Sequence, residues 1–213
     1  LSAPPASMSA TLRLPMVWLG ILLFLLYTGV ESTAGQWTYT WFTESRAASA
    51  YLAGTMTSAF WAMLTVGRVV FGAGAARIGV ERLLRLSMMG TVLAAALLLV
   101  RSLPIGFVAI GLMGLSLAAI FPTLTSDAPN RVGARHAANT IGIQTGAASV
   151  GFAVLPGLAG VLAERAGLES LGPFLVVSAL LMLGVNQLAV ALMRRERATA
   201  ALDAAAGGSS LGD

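Results

Sequence analysis

One carboxylate lies inside a long apolar run. The chain reads LPMVWLGILLFLL over residues 14–26 and continues as YTGVESTAGQWTYTW, which sets Glu31 among residues that otherwise suit lipid. Helical positions three, four and seven apart share a face. Tyr27 and Gly35 are therefore one turn from Glu31 and Thr38 is two turns away, so that Tyr27, Glu31 and Thr38 form a polar stripe. An ionisable group at the centre of a bilayer costs roughly 2.5–3.5 kcal/mol, and such groups face a cavity or a partner. Carboxyl groups in low dielectric exchange protons near neutrality, so the chemistry open to Glu31 is proton uptake and release. The plainer alternative ends the helix near Val30 and leaves Glu31 at the interface. Against it, ESTAGQWTYTW holds no proline and no charge cluster before TESR. At about 1.5 Å per residue, Glu31 is roughly 25 Å along the helix from Leu14, which predicts a place in its outer half.

Other polar residues repeat at helical spacing. Thr57, Trp61, Thr65 and Arg68 follow steps of four, four and three, Thr140 and Gln144 are one turn apart with Asn139 beside them, and Asn186 adjoins Gln187. Trp61 offers a stacking face for a solute, and Gln144 and Asn139 offer hydrogen bonds. Each has a structural alternative. Threonine hydroxyls bond back to their own helix, amides join neighbouring helices, and Arg68 can snorkel to an interface. His136, beside Arg135, reads as solvated. The chain has no cysteine and this one histidine, so disulfides, thiolate sites and histidine metal clusters are excluded and no cofactor is expected. A membrane-embedded enzyme would need clustered catalytic groups, and beyond the first turn of each apolar segment only Glu31 and Arg68 are charged.

Residues of 57% hydrophobic and 10% charged composition depart from the roughly 25% charged residues of a soluble domain. A bilayer core needs about 20 apolar residues in a helix, and six segments qualify: 14–41, 51–74, 83–100, 105–124, 137–163 and 171–193. The fold class is thus all-α integral membrane with six transmembrane helices. The net charge of +4 forms no single patch, so nucleic acid is not a partner. The arginines concentrate at alternate connections and at both ends, which places both termini in the cytoplasm of a multi-pass inner-membrane protein. Residues 1–13 read as a flexible linker between halves without a signal-peptide pattern, residues 14–195 as the membrane domain, and residues 196–213 as a disordered cytoplasmic tail. LSAPPASMSA suggests the later part of a longer polypeptide. Short connections predict that consecutive helices pack together. Gly142 and Gly146 form a small-xxx-small pair for close helix approach, and Pro156 predicts a kink.

GRVVFGAGAARIGVER, residues 67–82, resembles a loop signature of the major facilitator superfamily, G-x-x-x-D-R/K-x-G-R/K-R/K. Gly72, Arg77 and Gly79 match it, whereas Ala76 stands at the acidic position and Val80 and Glu81 at the last two basic ones. AAIFPTLTSDAPNRVGARHAANTIGIQTGAASVGFAVLPGLAGVLA, with YTGVE, GQW and FW, is similar to the C-terminal half of sugar-permease members, nearest to the fucose permease branch. The resemblance implies half of a twelve-helix alternating-access transporter, with an N-terminal six-helix half upstream and the solute at the midplane between halves. It implies a proton-coupled secondary transporter of a sugar-like or other small polar solute. Glu31, Tyr27, Thr38, Trp61, Gln144 and Asn139 are then the candidate solute- or proton-binding residues, and Arg68 and Arg77 the gate. The rival expectations are a membrane scaffold or assembly subunit without transport, and a drug or metabolite efflux member of the same superfamily.

Overall fold

The computed structural model describes residues 6–209, apart from the side chains of 73–77, 200, 201 and 203–209. A short helix α1 (Met8–Leu12) precedes α2 (Pro15–Thr40), which ends in a π turn, Trp41–Ser45. Then come α3 (Ala50–Ile78), α4 (Val80–Leu97), α5 (Leu103–Leu117), α6 (Ile120–Ser126), α7 (Ala128–Val132) and α8 (Ala134–Ala166). A 3₁₀ turn, Leu168–Ser170, leads into α9 (Leu171–Ser209). No strand occurs among the described residues. Pro15 occupies the first turn of α2, where its missing N–H is not needed. Single glycines in the left-handed region, Gly79 at φ +83° and Gly133 at φ +82°, turn the chain between helices with almost no loop.

The predicted segment 105–124 is two helices rather than one, with the break at Ala118 and Ala119. Pro122 has no N–H to bond the carbonyl four residues earlier, so the helix restarts there and Pro122 falls in its first turn. The first segment goes further than expected. Glu31 lies midway along Pro15–Ser45, not in an outer half, because the helix continues through the π turn.

Packing meets the expectation that consecutive helices are neighbours only in part, chiefly at α4 and α5. α2 lies chiefly against α8, α3 and α4 against α5, and both α2 and α4 against α9, while α3–α4 and α8–α9 touch only near their turns. Glycines decide these pairings. A Cβ at Gly151 of α8 would collide with the Leu25 carbonyl of α2, and one at Gly114 of α5 with the Phe60 carbonyl of α3. The backbones therefore meet where a side chain would hold them apart. Gly142 and Gly146 do not serve this purpose within the chain, since a Cβ at either would meet nothing within 4 Å. They lie on a face of α8 that α2 does not cover.

The core between the helices holds Phe24, Tyr27, Trp41, Phe42, Met56, Phe60, Met88 and Ile110. Outward faces carry Trp18, Val69, Val70, Leu93, Val108, Val177 and Leu181 in the open, an apolar exterior suited to lipid. Among the described residues, four stretches are long and apolar enough to cross a membrane: Pro15–Ser45, Leu103–Ser126, Ala134–Ala166 and Leu168–Thr199.

Near both ends the described residues hold regular structure. Residues 1–5 of the expected linker lie outside the described residues, but Ala6 donates its N–H to the Arg135 carbonyl at 2.9 Å. α1 follows, capped by the Ser7 hydroxyl. α9 continues helical to Ser209 through the segment expected as disordered tail, which is rich in alanine, the strongest helix former.

Candidate functional site

α2 brings Tyr27, Thr28 and Glu31 to one level of the bundle because they fall within one turn and its neighbour. Tyr27 is fully buried and its hydroxyl donates to Glu31 Oε2. α3 crosses beside them and sets Arg68 Nη2 3.5 Å from the same oxygen. The pair is asymmetric. The Glu31 side chain is buried, while half of the Arg68 side chain is open. Phe121 and Pro122 close the third side from α6, the Phe121 ring meeting Phe24 edge-on at 5.1 Å and Tyr27 at 6.0 Å. The α5–α6 break is what delivers these two residues.

These groups line a cavity of about 500 Å³ with Thr28 and Gly72. Two further hollows extend the same face. One of about 350 Å³ shares Thr28 and Phe121 and adds Thr145 and Ser149 of α8. The other, about 620 Å³, lies between Gln36, Trp37 and Thr40 of α2 and Phe152 and Pro156 of α8. The face therefore combines one carboxylate, one guanidinium, aromatic walls and scattered hydroxyls. Such a set can hold a small solute and can hold or release a proton at Glu31. No group of three or more possible metal ligands occurs among the described residues.

The residues expected to act together divide. Tyr27 and Glu31 meet as predicted, and Arg68 joins them instead of reaching away to an interface. Trp61 is half-open, stands edge-on to Phe60 at 5.0 Å and lies over Gly35, one turn from Glu31 on α2. Thr38 is buried and donates to its own helix at Ala34 O, 2.6 Å away, so it is not on the cavity wall. Gln144 is buried with its amide against Gly20 and its Oε1 unpartnered, well along α2 from Glu31. Asn139 donates to the Ala6 carbonyl at 2.8 Å and to Thr11 Oγ1 at 3.3 Å, near the start of α8. Thr57 and Thr65 bond back to Ala53 O and Trp61 O. His136 is held by Thr11 Oγ1 at 3.0 Å rather than left to solvent. Arg77, the other expected gate residue, has its side chain outside the described residues.

Sequence inspection passed over Thr28, Phe121 and Pro122. Thr28 Oγ1 lies 2.8 Å from both Phe24 O and Ala148 O, tying α2 to α8 at the cavity. Its only signal was adjacency to Tyr27. For Phe121–Pro122, the proline inside an apolar segment was a signal that the segment breaks.

Two other charge clusters sit at the ends of the helices. Asp127 and Arg131 are buried and paired at 2.8 Å, with Arg131 also reaching Asn186 Oδ1 at 3.3 Å. At the far end, Arg46 and Glu169 bind through two contacts, 3.0 and 2.9 Å.

The profile of the Major Facilitator Superfamily matches residues 19–211. Bypass of stop codon protein 6 of Saccharomyces cerevisiae is 27% identical over 176 residues, covering 74% of this chain and 34% of the yeast protein. The crystal structure of the peptide transporter POT in complex with alafosfalin superposes with a TM-score of 0.69 at 16% identity, over 92% of this chain and 44% of that one. At that identity the likeness shows the fold. The chain spans less than half of either protein.

Proposed function

Because this chain belongs to the Major Facilitator Superfamily, a family of multi-pass membrane transporters rather than enzymes, we propose that it is the C-terminal six-helix half of a proton-coupled secondary transporter. The six membrane helices are α2, α3, α4, α5 with α6, α8 and α9, and a second six-helix half completes the path from upstream. The lengths of the two matched proteins agree with that division. The arginine distribution favours an inner-membrane orientation with both termini cytoplasmic.

One observation carries the reading: a buried carboxylate midway along α2, bound by a tyrosine hydroxyl and an arginine on another helix, opens onto a cavity. A scaffold subunit needs no such group, since a buried carboxyl in the membrane is retained at a cost. Glu31 accepts the proton and Tyr27 orients its carboxylate. Solute binds in the cavity against Phe121 and Tyr27, with Trp61 flanking it one turn away. Thr38, Gln144 and Asn139 enter as supports of the helices. Arg68 senses the charge of Glu31, and Arg77 belongs to the gate that the loop signature implies. The solute is small and polar, with sugars the class suggested by the permease-like motifs.

The test is a full-length Glu31→Gln variant in proteoliposomes. Uptake driven by a pH gradient falls by about 100-fold, the size expected when a positioned proton-transfer group is lost, while solute counterflow without a gradient persists. Wild-type accumulation by the variant, with unchanged pH dependence, would overturn the proton-carrier role.

A further inference from the structure

We propose that Arg68 is the anchor for an anionic group on the solute, so that the transported species is a small carboxylate, sugar acids included. This rests on the reading of Glu31 as a proton carrier and names the solute class for the same site.

The geometry at Arg68 points this way. A guanidinium carries five N–H donors in a planar fork that matches a carboxylate with two parallel bonds. Here its acidic partner is Glu31 alone among the described residues, reached through one nitrogen at 3.5 Å, longer than a charge-assisted hydrogen bond. That oxygen already receives the Tyr27 hydroxyl. Half of the Arg68 side chain is open, on the wall of a cavity of about 500 Å³. The remaining wall is Phe121, Pro122, Thr28 and Gly72, which accepts an apolar or hydroxylated body and offers no second cation. Arg68 is thus placed for a ligand that arrives with its own carboxylate.

Exchange follows from charge. With Glu31 ionised, the guanidinium is partly neutralised by it. When Glu31 takes up a proton, its charge is gone and Arg68 is left with an uncompensated charge facing the cavity. A solute carboxylate then completes the pair, and its departure returns Arg68 to Glu31 as the proton leaves. One proton and one monoanion move together, so the cycle carries no net charge. Among the described side chains no other titratable group joins the pair: Asp127 and Arg131 at α7 bind each other at 2.8 Å. On α2 the group facing Glu31 is Tyr27, and on α3 it is Arg68. α5 has no titratable residue and α6 brings Phe121 and Pro122. Those of α8 lie at its ends, Arg135, His136, Glu164 and Arg165, and α9 has none before Arg194.

The experiment uses the purified full-length transporter and three acids, lactate, benzoate and phenylacetate, each paired with its amide. All three acids are ionised throughout the assay range. Thermal stabilisation in detergent is titrated for wild type, Arg68→Lys, Arg68→Gln and Glu31→Gln, at mildly acidic and mildly basic pH. At least one acid stabilises the wild type while its amide does not, and more strongly at acidic pH. Arg68→Gln weakens that acid about tenfold or more, as loss of a hydrogen bond to a charged group predicts. Arg68→Lys keeps part of the affinity, which separates a ligand anchor from a folding defect. Glu31→Gln binds the acid with little pH dependence. Equal stabilisation by acid and amide, no stabilisation by any acid, or full acid binding by Arg68→Gln would each overturn the proposal. The readout is binding, so a failure of proton coupling in Glu31→Gln transport leaves the acid-to-amide comparison intact and separately decisive.

Discussion

Of the arginine–carboxylate pairs that join different parts of this bundle, two are finished to very different degrees. At the far end, Arg46 is almost sealed. It binds both oxygens of Glu169, donates to Leu98 O at 2.6 Å and Val100 O at 3.2 Å, and lies 4.7 Å over the Trp41 ring and 4.9 Å over Phe42. Glu169 in turn receives Ser45 Oγ at 2.6 Å and Trp41 Nε1 at 3.2 Å. All three nitrogens of the guanidinium have an acceptor, and one knot fixes the π turn of α2, the α4–α5 connection and the start of α9. Midway along α2, Arg68 has one long contact to Glu31 and an open flank. The same two residue types therefore do opposite things. A buried guanidinium with an acceptor at each nitrogen locks helices, and one with donors turned to a cavity is available to a ligand.

The contrast is broken most severely at the knot. Arg46→Ala leaves the Leu98 carbonyl unmatched and Glu169 short of its main partner, while the Val100 carbonyl keeps the Ser102 N–H. Breaking a buried pair costs about 3–5 kcal/mol, and the partial exposure of Glu169 favours the lower end. The midpoint of thermal unfolding in detergent falls by several degrees, while transport per folded molecule is unchanged. An unaltered midpoint would show that the knot is ornamental. Tyr27→Phe tests the other pair at smaller cost. It keeps the ring against Phe121 and removes only the hydroxyl whose hydrogen bond Glu31 accepts. Proton-driven uptake drops about tenfold, a factor equal to 1.4 kcal/mol, and its pH profile moves, with the unfolding midpoint nearly constant. If Tyr27→Phe instead lowered stability and left the profile in place, Glu31 would be a second structural knot.

The two pairs also differ in how far the sequence exposes them. Glu31 stands out because it is the lone carboxylate in an apolar run, and Tyr27 follows from spacing along one helix. Arg68 is visible as a charge but its partner is not, because helical periodicity assigns a face and says nothing of which helix crosses there. That is decided by backbone approach at Gly151 against Leu25 and Gly114 against Phe60, where the residue type is plain and the neighbour is not. Sequence spacing is equally blind to depth, and the structure sets Asn139 in the first turns of α8 against Ala6 and Thr11 and the Gln144 amide against Gly20. The same blindness hid Arg46 as one more loop charge, since its partner is 123 residues away in sequence. The all-helical architecture needed only composition and length, whereas of the six apolar segments expected to span the membrane, four described stretches are long and apolar enough to do so.

The smallest effect is expected at Arg101, which stands beside the knot without being part of it. Its Nε is 3.7 Å from Glu169 Oε2, too long for a hydrogen bond, and its side chain is 74% exposed. A solvated pair of this kind contributes about 0–1 kcal/mol, and at about 0.1 M salt the Debye length of about 10 Å screens longer-range attraction to other charges. Arg101→Ala therefore shifts the unfolding midpoint by about a degree or less, and raising the salt does not enlarge the shift. Glu169 stays saturated by Arg46, Ser45 and Trp41, so the mutation removes a charge and orphans nothing buried. A loss at Arg101 comparable to that at Arg46 would mean that charge near Glu169 stabilises the far end, whatever its geometry. The distinction between a closed arginine and an open one would then no longer separate a structural pair from one that serves a solute.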